Sequence, residues 1–134
     1  MISNPVHGWC NFVLSNNKNK LFIGLPSYLT NVPIDLLEAF LDYKQKGQGM
    51  AWFDEEGSEF TLVLTPYSMF IIVEDSEGRA KLYDFSEIEI DALIRELIVD
   101  VEANIDAWAS FECDDTFQEN KDKIVKLIET LKKY

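Results

Sequence analysis

Met50-Ala51-Trp52-Phe53, Glu59-Phe60-Thr61-Leu62-Val63-Leu64-Thr65, Met69-Phe70-Ile71-Ile72-Val73-Glu74 and Arg79-Ala80-Lys81-Leu82-Tyr83-Asp84-Phe85 follow one another with only short breaks. The breaks are turn chemistry: Asp54-Glu55-Glu56-Gly57, Thr65-Pro66-Tyr67-Ser68 and Asp75-Ser76-Glu77-Gly78. Short polar connections between β-rich runs predict antiparallel neighbours, so residues 50–85 are expected to form a four-stranded meander. In 59–65, Phe60, Leu62 and Leu64 share one face and Thr61, Val63 and Thr65 the other, the pattern of a sheet packed on one side and wetter on the other. The 69–73 run is apolar on both faces and is expected at the centre.

Working outward, Trp9-Cys10-Asn11-Phe12-Val13-Leu14 and Lys20-Leu21-Phe22-Ile23-Gly24 read as two further strands around a turn at 15–19. Pro33 suits the first turn of a helix, with Asn31 or Val32 at or before its cap and Asp35 and Glu38 complementing the positive end of the dipole. Leu36, Leu37, Phe40 and Leu41 form its apolar stripe, and Lys44, Lys46 and Gly47 its stop. After the meander, Ser86 and Glu89 resemble a capping box. From there Ile90, Leu93, Ile94, Leu97, Val101, Ile105 and Trp108 keep a 3.6-residue period, predicting one long helix to about residue 111. Thr116-x-x-Glu119 predicts a last helix whose buried stripe is Ile124, Leu127, Ile128 and Leu131. The expected architecture is α+β: one domain over residues 1–134, with an antiparallel sheet of about six strands and three helices on one face.

Charge is unevenly spread along this chain. Residues 54–119 hold 19 acids against Arg79, Lys81 and Arg95, a net of −16, whereas the flanking segments are net +1 and +3. The total is −12. At 47 % apolar residues, with nine Phe, five Tyr and three Trp, the chain has the material for a core and is not expected to be disordered. Such a charge disfavours nucleic acid and anionic membrane as partners and favours a basic protein. No apolar run approaches a transmembrane span, and the first residues lack the pattern of a secretory signal, so a cytoplasmic location is expected.

Catalytic chemistry finds few candidates. His7 is the only histidine and reads as a surface or strand-edge residue. Serine and cysteine nucleophile schemes built on histidine would need it beside Cys10, Cys113 or a serine. Cys10 and Cys113 could in principle be joined, but two buried reduced thiols suit the expected compartment better. Carboxylate pairs are too abundant among 24 acids to single one out. The 54–59 segment superficially resembles a calcium loop without its alternating ligands. No zinc spacing or phosphate-binding glycine loop occurs, and neither a metal nor a cofactor is expected. Trp52 and Trp108 fall on apolar-patterned segments, where core packing is the first expectation and partner anchoring the second.

Leu25-Pro26-Ser27-Tyr28-Leu29, the helix opened by Pro33-Ile34-Asp35-Leu36-Leu37, and Phe53-Asp54-Glu55-Glu56-Gly57-Ser58-Glu59-Phe60 leading into a meander closed by helices are arranged in a familiar order. This order resembles the small acidic immunity proteins of bacterial polymorphic-toxin and contact-dependent inhibition systems. The resemblance implies a non-enzymatic antidote that binds one cognate toxin, often a nuclease, and carries no shared catalytic residues. The surface expected to meet a basic toxin consists of Asp54, Glu55, Glu56 and Glu59, then Glu74, Asp75 and Glu77, with Glu96, Asp100, Asp114 and Asp115 beyond them. Acidity kept for solubility alone is the competing explanation. Two other functions are weighed: an adaptor or chaperone-like module using Ile88 and Val99 on the long helix, and a small carboxylate hydrolase.

Overall fold

The computed structural model describes residues 1–15, 20–112 and 114–134; residues 16–19 of the turn predicted at 15–19, Cys113 and the side chain of Asp114 lie outside what it describes, and Ser15 belongs to a strand. The described residues form seven strands in two antiparallel sheets: β1 (Ile2–Val6), β2 (Trp9–Ser15) and β3 (Lys20–Gly24), then β4 (Gly49–Asp54), β5 (Glu59–Leu64), β6 (Met69–Glu74) and β7 (Ala80–Asp84). Four α-helices accompany them: α1 (Val32–Lys46), α2 (Ile90–Glu102), α3 (Ile105–Ala109) and α4 (Phe117–Leu131). The α+β class and the β4–β7 meander are as expected. The single six-stranded sheet and the three helices are corrected to two sheets and four α-helices. Among the described residues no helix is long and apolar enough to cross a membrane.

The additional strand is β1, joined to β2 through His7-Gly8. Val6 pairs with Trp9, and both turn residues have positive φ, 53° and 76°, the two-residue hairpin geometry whose twist matches that of the strands. His7 is therefore an exposed turn residue, whereas Cys10 lies 1 % exposed in β2. Burial pushes the Cys10 thiol up to about 12, so it stays protonated and inert, as expected of a structural thiol.

The segment after β3 ties the sheets together. Pro26 O accepts from Cys10 N in the first sheet (3.2 Å), and Ser27 N donates to Asp54 O in the second (2.8 Å). Between the sheets lies an aromatic cluster of Phe12, Phe53 and Phe60, all fully buried, with ring centroids 5.1–5.8 Å apart. The inner face of the meander, including Ala51, Leu62, Leu64, Met69 and Ile71, is buried, with Phe12 of β2 against its Phe53 and Phe60 and α1 against β4 and β5. Helix α1 packs on β4 and on α4. Its approach to β4 requires glycine at position 49, where a Cβ would come within 2.0 Å of the Ala39 carbonyl oxygen. Asn31 is its N-cap, and Gly47 closes it in the left-handed conformation, N–H to Tyr43 O.

The predicted long helix is broken. Asn104, at φ −150°, interrupts it, and α3 restarts at Ile105. Trp108 nevertheless reaches the core, 1 % exposed, and its indole N–H donates to Asp100 O at 3.3 Å. Nor does Ser86 cap α2: its N–H bonds Asp84 Oδ1 in a turn, and the helix begins after Glu89. Ile88 consequently precedes the helix and packs against the core, so of the two proposed adaptor residues only Val99 is on α2 and exposed. Thr116 is the N-cap of α4 by position, and its hydroxyl accepts from Asn120 Nδ2 at 3.0 Å.

Candidate protein-docking site

Strand register brings the acids of the meander together. Asp54 pairs with Glu59, and Glu59 with Glu74, so three carboxylates stand side by side across β4, β5 and β6 at one end of the sheet. Direct cross-strand neighbours have Cβ atoms about 5 Å apart, and like charges there are mutually destabilising. The β4–β5 and β6–β7 turns close over the same end. Together they line an open concavity of about 340 Å³ bordered by Asp54, Glu59, Glu74 and Asp75.

Three of the turn acids accept hydrogen bonds within the fold, Asp54 Oδ1 from Glu56 N at 2.6 Å among them. Glu55 accepts from Leu25 N (2.9 Å) and Ser58 Oγ (3.3 Å), stapling the turn to the end of the first sheet. Asp75 accepts from the N–H groups of Glu77 and Arg79 and from Arg79 Nε; the Arg79 backbone N–H is the main cause holding its carboxyl below the usual range. Glu77 is 3.4 Å from the same guanidinium. Asp54, Glu56, Glu59 and Glu74 have no cationic group within 4 Å among the described residues.

Several acids elsewhere are paired with cations. Glu96 and Asp100 enclose the chain-terminal ammonium of Met1, and Asp100 also accepts from Ile2 N at 3.1 Å, which fastens β1 to α2. Asp91, Glu102, Asp106 and Glu38 pair with Lys44, Lys132, Lys121 and Lys123. Asp115 is exposed in the short 3-10 turn before α4. Of the residues nominated from sequence, the structure therefore brings seven to one sheet end, whereas Glu96 and Asp100 are engaged with Met1.

Alternation places Trp52, Thr61, Ile72 and Leu82 in the row next to the acids, on the same outer face, and Met50, Val63, Phe70 and Asp84 in the row beyond. Trp52 is 42 % exposed, against the expectation of core packing, and Met50 and Leu82 are 67 % and 58 % exposed. No lysine, arginine or histidine belongs to these three rows. Among the described residues no three His, Cys, Asp or Glu side chains converge as metal ligands. Comparison with family models, curated proteins and solved structures returns no match to this chain.

A second convergence of acids, invisible in the linear sequence, surrounds Asp35 at the start of α1. Burial, then repulsion from Glu38 and Glu112, raises its carboxyl from 3.8 to about 6, against the opposing effects of Lys123 and a backbone hydrogen bond at Asn31. The folded protein holds this proton more tightly than the unfolded chain, so the stability it confers is complete below about pH 4 and is lost as pH rises towards 6. Asp35→Asn imitates the protonated form. Its expected effect is a gain of about 1 kcal/mol above pH 6, after discounting for the screening of a half-exposed group, and none below about pH 4. Urea unfolding on either side of this window measures it; an equal effect at both pH values contradicts the assignment.

Proposed function

We propose that this chain is a non-catalytic binding protein that captures a basic protein through the acidic end of the β4–β7 sheet. The supporting observation is register: Asp54, Glu59 and Glu74 stand side by side across three strands with no cationic group within 4 Å among the described residues. Holding three carboxylates side by side costs stability, and a partner supplying lysines or arginines returns it while accelerating encounter. The resemblance to immunity proteins gives the partner a class: a toxin domain, a nuclease among the candidates, whose anionic substrate the row would imitate. Binding there would block the toxin by occlusion and by competition for its basic surface, in the bacterial cytoplasm.

The direct test is co-expression with the product of the reading frame adjacent to this gene. The expected result is that the neighbour alone arrests growth, that this chain restores it, and that the two co-purify. A neighbour that is harmless and forms no complex overturns the immunity reading.

A further inference from the structure

We infer that the outer face of the β4–β7 sheet is the anchoring surface for that partner, and that the partner's contact patch carries apolar side chains bordered on one side by lysines or arginines. The inference rests on the binding reading above and adds to it the apolar component. Two residues along a strand advance about 7 Å, so Trp52 and Ile72 lie about 7 Å from the carboxylate row, and Met50 and Phe70 about 13 Å. Met50, Trp52 and Leu82 are exposed, and Val63, Phe70 and Ile72 are half-buried, which makes an apolar platform interrupted by Thr61 and ended at one corner by Asp84. Uncovered platforms of this kind mark interaction surfaces, and an aromatic such as Trp52 at the heart of one is the usual anchor.

Charge decides the occupant. A second copy would bring another net −12 and another carboxylate row to a face with no cation to receive it, leaving acids buried and unpaired. An acidic surface is repelled for the same reason. A basic surface whose apolar patch lies roughly 7–13 Å from its lysines and arginines satisfies both halves of the site.

The test uses the full chain, ¹⁵N-labelled, and three short synthetic peptides. One has an apolar half followed by a lysine half; the second replaces the lysines with glutamates; the third replaces the apolar residues with serines. Only the first is expected to bind, shifting the amides of Met50, Trp52, Ile72 and Leu82 together with those of Glu59 and Glu74. Trp52→Ser/Leu82→Ser should weaken that binding roughly tenfold or more at an unchanged melting temperature. Equal binding of the serine peptide would overturn the anchoring role while leaving the electrostatic capture of a basic partner standing. Failure of the first peptide to bind, or indifference to the double substitution, overturns it as well. A dimer in sedimentation that the double substitution abolishes would assign the face to a second copy instead.

Discussion

Phe60→Ala is expected to destabilise the protein by about 4 kcal/mol, a large part of the 5–15 kcal/mol that holds a domain of this size folded. Phe60 is fully buried in β5, opposite Phe53 and Val73, and its ring meets Phe12 of the other sheet edge-on at 5.2 Å. Truncation removes the ring's transfer free energy and leaves a cavity between two sheets whose strands are fixed by their own hydrogen bonds and collapse poorly. Because the contact crosses from one sheet to the other, Phe12→Ala and Phe60→Ala should couple by about 1 kcal/mol in a double-mutant cycle. Chemical denaturation of the four proteins measures both quantities. A loss below about 1 kcal/mol for Phe60→Ala, or full additivity with Phe12→Ala, would mean that the aromatic cluster does not join the sheets.

The meander was legible because each of its turns is written in Asp, Ser, Pro or Gly and each strand lies within a few residues of its neighbour. Helix α1 was legible for the same local reason, between Pro33 and Gly47. What the sequence concealed is non-local or ambiguous. Strand β1 contains Pro5 and the positive-φ Asn4 and shows no alternation, so nothing in it resembles a strand. The strands divide into two sheets linked through the hydrogen bond of Ser27 N to Asp54 O, between residues that no pattern relates. The break at Asn104 was masked because Ile105 and Trp108 continue the apolar period after the helix axis changes. Trp52 was misplaced because β4 is apolar on both faces, and periodicity cannot choose which of Ala51-Phe53 or Met50-Trp52 turns inward.

The candidate site divides in the same way. The acidic turns were evident as composition, but the row itself exists only through the register Asp54, Glu59, Glu74. Composition also could not separate Glu55, whose carboxylate is spent on Leu25 N, from Glu56 beside it. Glu96 and Asp100 looked like surface acids on a helix edge, and their engagement with Met1 depends on β1, the strand the sequence hid.

Glu59→Gln/Glu74→Gln should move stability and binding in opposite directions. Removing the cross-strand repulsion raises stability by several tenths of a kcal/mol, whereas removing two charges from the steering field slows association with the basic partner by roughly tenfold at low ionic strength. The difference should shrink at physiological salt, since exposed charges are screened over about 8 Å there. Glu55→Gln serves as the contrast: it weakens the staple to Leu25 and lowers stability, with a smaller effect on association. The decisive measurement is the stopped-flow association rate of the wild-type and double-variant chains with the co-purifying neighbour across a salt series. A slower, less salt-sensitive rate in a chain that melts no lower is the predicted result; identical rates and identical salt slopes would contradict the capture of a basic protein by this sheet end.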